Sequence, residues 1–311
     1  MNTSIESDSG LSLSIIVTIV SGKKQLFRCL DSIIPQVRKK SIEVIVPCDS
    51  SILYIDEIVS NFPDVKCLDI GEIKTHSPAG TCSAQHEFYD QRTVQGLKAA
   101  RGKIVGLLHD YGNPDIDWCD QVQAAHKLPH SVIGGAIEHL GKGTVNTAAY
   151  YLDFGRYQLP LPEGPAAYLS DINVTYKKEA LDSIKEFWED RYVEVIVHWK
   201  LAERGETLWM SPEIVVNQDW GDLQLKRTMQ ERFAWGRLFA SVRIKDKPLG
   251  WRLFLIFISP LIPFVILGRI ILKAFRDGRN RKKLLSCLPQ LFVVSYALAF
   301  GEMVGYTTGH E

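Results

Sequence analysis

The chain has 311 residues, 46% of them hydrophobic, and its 36 basic side chains match 36 acidic ones. That length can bury a full core in one large domain or two smaller ones, and the balanced charge excludes a whole-chain nucleic-acid binder. The six cysteines (Cys29, Cys48, Cys67, Cys82, Cys119 and Cys287) show neither a CxxC pair nor a cysteine–histidine ligand spacing. This argues against a zinc site or a disulfide framework and for a reducing compartment.

Residues 1–11 read as a disordered lead-in that lacks the basic-then-apolar build of a signal peptide. LSIIVTIV, Leu13–Val20, is a buried-strand run closed by Ser21-Gly22. KKQLFRCLDSIIPQ follows with Leu26, Cys29, Leu30, Ile33 and Ile34 at helical spacing, and IEVIVPCDSS is a second strand ending in Asp49, Ser50 and Ser51. This βαβ unit predicts a parallel sheet with a right-handed crossover. VKCLDIG, Val65–Gly71, is a third strand, and a helix is expected around Glu87–Ala100. The strand Lys103–Leu108 then delivers His109 and Asp110 at its carboxyl end, where open α/β sheets collect ligands. Gly112, Asn113 and Pro114 are expected to stop it.

In the second half DWCDQVQAAHKL reads as helix and SVIGGAIEHL as a strand carrying a double glycine. Residues 141–168 read as an aromatic, loop-rich stretch with Tyr150, Tyr151, Phe154, Tyr157 and Tyr168. AYLSDINVTYKKEAL runs from a turn into a helix start, FWEDRYVEVIVHWKLAERG is helical up to Gly205, and TLWMSPEIVV is a strand. From Gly250 the composition shifts. Leu253–Leu267 is almost wholly apolar with Pro260 and Pro263 in its middle, and Leu288–Phe300 carries no charge. RIILKAFRDGRNRKK between them holds seven basic residues against Asp277 alone. Two core helices with a solvated loop are the plain reading, but neither segment has a polar face, and the basic loop reads as cytosolic. The two prolines favour a bent, re-entrant or interfacial hairpin for the first segment. Leu284–Tyr306 is just long enough to span.

LSIIVTIVSGKKQLFRCLDSIIPQ with IEVIVPCDSS, and GLKAARGKIVGLLHDYGNPDIDW with its Pro114 and Trp118, resemble family 2 glycosyltransferases over roughly residues 12–240. The resemblance implies an α/β chain with a GT-A (Rossmann-like) mixed sheet flanked by helices, followed by a C-terminal hydrophobic helical membrane-association region. The implied boundaries are 12–245 for the catalytic domain and 246–311 for that region. Such enzymes move a sugar from a nucleotide-sugar donor with inversion. On the donor side the resemblance assigns Thr18, Asp49, Arg92, Asp110, Asn173 and Lys177. Asp49 stands where the family carries an Asp-Asp-x-Ser-like turn, and its carboxylate can accept from a uracil imide or a ribose hydroxyl; the plain alternative is a strand-end Asp capping its own turn. His109-Asp110-Tyr111 occupies the Asp-x-Asp-like position, closest to a family variant with Glu-Asp-His, so His109 and Asp110 are the expected ligands of a divalent cation, Mg²⁺ or Mn²⁺. Arg92 and Lys98 are alternatives for neutralising the leaving diphosphate.

In VEVIVHWKLAERG the family pattern places Lys200-Leu201 on an Arg-Leu pair and Glu194 on the general base. Burial among Val193, Val195 and Ile196 would raise its pKa and suit it to that role. Glu189 and Asp190 are alternative bases, and the plain reading of Glu194 is a helix carboxylate paired with His198 at i+4. Asn173, Tyr176 and Lys177 match a Gly-x-Asn-x-x-x-basic segment lining the cleft, Gly236-Arg237 matches a basic helix after the fold, and ALAFGEMVGYTTG resembles a membrane-associated tail. The implied partners are a nucleotide sugar (a UDP-sugar in this reading), a lipid-linked or saccharide acceptor and the cytoplasmic membrane face, with no nucleic acid. Two rivals remain: a catalytically degenerate GT-A protein that binds donor or scaffolds a complex, and a nucleotidyltransferase, against which the absence of a glycine-rich basic phosphate loop argues.

Overall fold

The computed structural model describes residues 10–38, 40–245 and 247–309; most of the expected lead-in, residues 1–9, lies outside them. The N-terminal part alternates as its apolar runs dictate: β1 (Leu13–Thr18), α1 (Lys23–Val37), β2 (Ile42–Asp49), α2 (Ile55–Asn61), β3 (Val65–Gly71), α3 (Cys82–Ala99) and β4 (Ile104–His109). Every residue of β1 is buried, as expected for a strand covered on both faces. α1 buries Leu26, Cys29, Leu30, Ile33, Ile34 and Val37, one stripe of a 3.6-residue period. Then follow β5 (Gly112–Pro114), α4 (Trp118–Ala125), β6 (Val132–His139), α5 (Thr144–Asp153), β7 (Gly164–Pro165), β8 (Val174–Lys177), α6 (Lys178–Asp182), α7 (Glu194–Glu203) and β9 (Leu208–Gln218). The chain closes with α8 (Leu225–Ile244), α9 (Leu249–Ile258), α10 (Ile262–Asp277) and α11 (Arg281–Thr308).

One mixed sheet runs in the order β3-β2-β1-β4-β8-β6-β9-β5, with β7 beside β9. β3, β2, β1 and β4 are parallel, while β8 is antiparallel to both β4 and β6. Thr18 pairs with His109, so β1 and β4 end side by side. The double glycine of β6 has a packing reason. A Cβ on Gly135 would lie 1.9 Å from the Ile214 carbonyl oxygen and 2.4 Å from the Asn173 amide nitrogen.

Four local expectations are corrected. Residues 141–168 contain α5, whose weak intrinsic propensity is overridden by packing, since Asn146 to Leu152 are all buried. NVTYKK contains strand β8, because Thr175 and Tyr176 are needed between β4 and β6. FWEDRYVEVIVHWKLAERG is helical only from Glu194 to Glu203: Val193 is extended (φ −121°, ψ 108°) and the buried Tyr192 lies before the helix. Gly112–Pro114 do leave β4, but form a short strand beside β9.

The chain divides into two compact units, one of Met1–Lys74, Phe88–Glu138 and Leu161–Asn217, the other of Thr75–Glu87, His139–Pro160 and Gln218–Glu311. α5 and α8 thus share a unit with the hydrophobic helices, whereas the sequence places a boundary at residue 245. In that unit Leu249–Asp277 and Arg281–Thr308 are long and apolar enough to cross a membrane. The first is interrupted at Ser259–Leu261 by a 3-10 turn holding Pro260, with Pro263 in the first turn of α10. The basic stretch is mostly helical; α10 and α11 are joined by Gly278–Asn280 alone, with Gly278 and Asn280 left-handed. α8 and α11 approach through glycine: a Cβ on Gly236 would lie 2.3 Å from the Leu298 carbonyl oxygen, one on Gly301 2.1 Å from that of Phe233, and one on Gly305 2.7 Å from the Ala240 Cβ. Gly301→Ala must therefore push the two helices apart, and a loss of about 2 kcal/mol is expected, measured by urea denaturation; unchanged stability would mean that the backbones are not in contact there.

Candidate active site

The parallel strands end in polar residues because a strand's last side chains leave the apolar core there. At the end of β2 the Asp49 carboxylate, 1% exposed, accepts from the Ser51 amide (2.9 Å) and from Arg92 Nε (2.6 Å) and Nη2 (2.5 Å). Arg92 rises from α3 and also donates to the Ile19 carbonyl (2.5 Å) and the Ser51 hydroxyl (3.2 Å). Burial opposes ionisation of Asp49, but the Ser51 bonds and the Arg92 charge outweigh it and hold its carboxyl below the ordinary value. Thr18, at the end of β1, shares a 3.0 Å hydrogen bond with Thr93. The structure thus brings together Thr18, Asp49 and Arg92. Among the described residues the Tyr54 hydroxyl, buried beside them, finds no hydrogen-bond partner; burial and the Asp110 charge push its pKa up to about 12.

Asp110 is 0% exposed. Its oxygens accept from the Ser21 amide (2.8 and 3.0 Å) and the Gly22 amide (2.7 Å), and its own amide donates to the Thr18 carbonyl (3.0 Å). Gly22, at φ 112°, makes that corner possible. Desolvation exceeds the help from these amides and raises the carboxyl pKa to about 6. His109 shares its Nδ1 with the Tyr111 hydroxyl (2.7 Å) and faces Asp171 with Nε2 (3.4 Å). Placed so, the two residues expected to hold a cation are engaged within the protein, and among the described residues no group of three or more His, Cys, Asp or Glu is placed to hold a metal. This arrangement does not fit a metal held by His109 and Asp110.

Beyond His109 lies a buried polar cluster. The Tyr89 hydroxyl donates to Asp171 (2.5 Å). Burial of Asp171 opposes its charge, but His109 and the Tyr89 bond outweigh burial and lower its pKa. The Tyr176 hydroxyl lies 2.9 Å from both the Tyr192 hydroxyl and His198 Nε2. Among the described residues His198 Nδ1 finds no hydrogen-bond partner; Glu194 Oε1 lies 4.0 Å away. Burial lowers the His198 pKa to about 4, with the Asp171 charge acting against it, so the ring is neutral at pH 7. Tyr192, Tyr176 and His198 thus form one hydrogen-bonded run through Nε2 that stops short of Glu194, whose Oε1 lies 4.0 Å from Nδ1. Burial, together with the charges of Asp171 and Glu194, pushes the Tyr89, Tyr176 and Tyr192 hydroxyls well above their ordinary range. Both carboxylates therefore border one group of tyrosines.

Glu194 is the first residue of α7 and not an interior one, with its side chain 16% exposed. A helix N-terminus favours a negative charge. The i+4 pairing with His198 is present, with a buried imidazole in place of a surface pair. Glu189 pairs with Lys185 at 3.9 Å near the surface, and Asp190 contributes its carbonyl to Gln91 (2.7 Å); neither joins the cluster. Asn173 is a staple: its amide donates to the Ala136 and Ile214 carbonyls (both 2.9 Å) and accepts from Trp118 Nε1 (2.9 Å). Lys177 pairs with Ile104 at the amino end of β4, the opposite end from His109, and Lys98 lies exposed in the last turn of α3. Sequence reasoning missed Asp171, Tyr89, Tyr192 and Tyr54. Asp171 sits two residues before Asn173 in a stretch already singled out, but an acid there carries no spacing signal of its own.

No protein-family model matches the sequence, and no curated protein matches it. Among solved structures the chain is similar to the mannosyltransferase PcManGT from Pyrobaculum calidifontis in complex with GDP-Man and Mn²⁺, with a TM-score of 0.55 and 13% identity, covering 93% of this chain and 86% of that one. It is also similar to TarS 1–349 of S. aureus in complex with UDP-GlcNAc, with a TM-score of 0.50 and 12% identity, covering 96% and 93%. The shared feature is the fold: a central mixed sheet flanked by helices, as found in glycosyltransferases.

Asp110 also makes the stability of the chain depend on pH. An unfolded Asp ionises near ~3.9, while folded Asp110 keeps its proton to about pH 6. Between those values the folded state binds more protons, so this group's contribution to stability falls as pH rises, by up to about 3 kcal/mol. Asp110→Asn should abolish that fall. Urea denaturation at pH 4 and pH 7 checks it: equal pH dependence in both chains would refute the assignment.

Proposed function

We propose that the chain is an inverting family 2 glycosyltransferase that moves a sugar from a UDP-sugar to a lipid-linked or saccharide acceptor at the cytoplasmic face of a membrane. The observation that carries this reading is Glu194, a partly exposed carboxylate at a helix N-terminus, backed by neutral His198 and bordering the same tyrosines as Asp171. An acceptor hydroxyl that reaches Glu194 loses its proton to the carboxylate as its oxygen attacks the anomeric carbon. The bond from that carbon to the diphosphate oxygen breaks on the opposite face, which inverts the centre through an oxocarbenium-like transition state. His198 lies behind the Glu194 carboxylate, 4.0 Å away, as a neutral ring that does not neutralise it. At the donor end Asp49, Arg92, Ser51 and Tyr54 offer hydrogen-bonding groups suited to a nucleoside. The nucleotide sugars bound by PcManGT and TarS support a donor of this class. The seven cations around the α10–α11 turn support the cytoplasmic face.

The second reading, a protein that binds donor without turning it over, is favoured by the engaged oxygens of Asp110 and the engaged ring of His109. Nucleoside diphosphate release from UDP-sugars, assayed with membrane lipid as acceptor and with either Mn²⁺ or EDTA, decides between the two. In the transferase reading Glu194→Gln lowers release by about 10²-fold or more while donor binding by calorimetry persists. A variant that retains more than about a tenth of the rate refutes Glu194 as the base. Donor binding without turnover by the unaltered chain supports the second reading.

A further inference from the structure

We propose that the α9–α11 helices dock the chain in plane on one leaflet of an anionic membrane and do not cross it. From the reading above this takes only that the chain works at a membrane, and its tests read binding and topology without activity, so it can fail independently of the transferase chemistry.

Composition alone would allow two spans, but the packing within this unit is against it. The α10–α11 turn is tied to α5 and the segment after it: Tyr151 Oη lies 3.5 Å from the Asn280 carbonyl, Arg279 donates to the Leu159 carbonyl (2.8 Å) and Lys273 to that of Gln158 (3.3 Å). The far end of α11 is tied to α8 through the glycine contacts and through Arg243, which donates to the Tyr306 hydroxyl (3.1 Å). α8 carries Lys226, Arg227, Glu231, Arg232, Arg237 and Arg243, too many charges to enter hydrocarbon alongside α11. α5 and α8 are themselves joined by Arg232 and Asp153 (2.6 Å to each oxygen). A spanning α11 would have to pull this assembly into the bilayer with it. On the α9–α10 side the uncharged run from Leu253 to Gly268 is sixteen residues, short of the ~20 that a straight span needs.

The outward face fits a bilayer surface. Leu253, Phe257, Leu261 and Val265 recur every four residues, all exposed, with Phe257 82% exposed. Phe264 meets Phe292 and Tyr296 of α11 at ring distances of 6.0 and 6.4 Å, which joins the two helices into one apolar patch. On the same α10 stripe the residues then become Arg269, Leu272 and Arg276, and exposed Arg279, Arg281, Lys282 and Lys283 follow at the turn. An apolar face bordered by cations suits acyl chains below and acidic head groups beside them.

Flotation of the full chain with sealed vesicles tests this. Binding is expected to phosphatidylcholine vesicles containing phosphatidylglycerol, weaker binding to phosphatidylcholine alone, and a decrease with salt. Leu253→Glu with Phe257→Glu should abolish flotation, and Arg276→Glu with Lys282→Glu and Lys283→Glu should weaken binding to the acidic vesicles about tenfold or more. These side chains are exposed, and unchanged thermal unfolding would show that the fold is kept. Unchanged flotation of the first variant overturns the proposal, as does a soluble dimer that the same variant dissociates in a chain that never floats. In sealed membranes from an expression host, Lys282→Cys and Lys24→Cys, each with Cys67→Ser, should react with an impermeant maleimide from the same side. Labelling from opposite sides would mean that the turn has crossed the bilayer.

Discussion

A carboxyl group buried at a strand end must be met by donors, and the rest of this candidate site depends on how that is done. Asp110 receives the Ser21 and Gly22 amides. These bonds close the corner between β1 and α1 onto the end of β4, with Gly22 providing the left-handed turn that the corner needs. Burial exceeds what the amides return, which is why the pKa of Asp110 is raised. The backbone order gained is local: Thr18 and His109 are held side by side, and the residues after Asp110 leave the sheet in a fixed direction.

That direction sets the chemistry. Next to Asp110 stands His109, whose ring bridges Tyr111 and Asp171. Around the same tyrosines the ionisable groups are sorted by environment. Asp171 is held ionised by His109 and Tyr89, His198 is held neutral by burial, and Glu194 sits at the more open, N-terminal edge of α7. A base needs a carboxylate that a substrate hydroxyl can reach and a neighbour that orients it without neutralising it. Neutral His198, 4.0 Å from Glu194 Oε1, leaves that carboxylate its charge, which a protonated imidazole there would offset. Asp49, bound twice by Arg92, stands at the end of β2, the place given to the donor in the proposal above.

The alternating half of the fold was legible in the sequence because β1, β2 and β4 are mostly apolar, β-branched runs and α1 carries a clear stripe. Reading failed where packing overrides local pattern. α5 begins with Thr-Val-Asn-Thr and is helical because its neighbours bury it, and β8 is only four residues between two other strands. The helix expected upstream of Gly205 starts late because Tyr192 is drawn into the tyrosine cluster, a long-range contact that periodicity does not register. The site was legible in part for the same reason. Strand ends announce Thr18, Asp49, His109 and Asp110, whereas Asn173 reads as a ligand residue in its motif and serves in the structure as a three-way staple. Asp171 and Tyr89 come together only when β4 and the segment before β8 are neighbours, which is a property of the sheet order.

Hydropathy treats α11 as one object, but its two faces do different work. Leu284, Cys287, Leu291, Val294 and Ser295 are buried and continue into Ala299, Gly301, Glu302, Gly305 and Tyr306, one stripe along the whole helix. Small residues at its end let α8 approach closely enough for backbone contact. Glu302 on this stripe accepts from the Tyr306 hydroxyl (2.9 Å), which in turn accepts from Arg243, so a charge inside an apolar helix is met within the protein. Leu285, Phe292, Tyr296 and Phe300 face outward and stay exposed, although Phe264 and Phe233 touch three of them. An apolar helix with one protein-facing stripe and one aromatic outer stripe raises the mean hydropathy as much as a span would. Hydrogen bonds tie its two ends to α5 and α8, and on these contacts, not on hydropathy, the in-plane proposal rests.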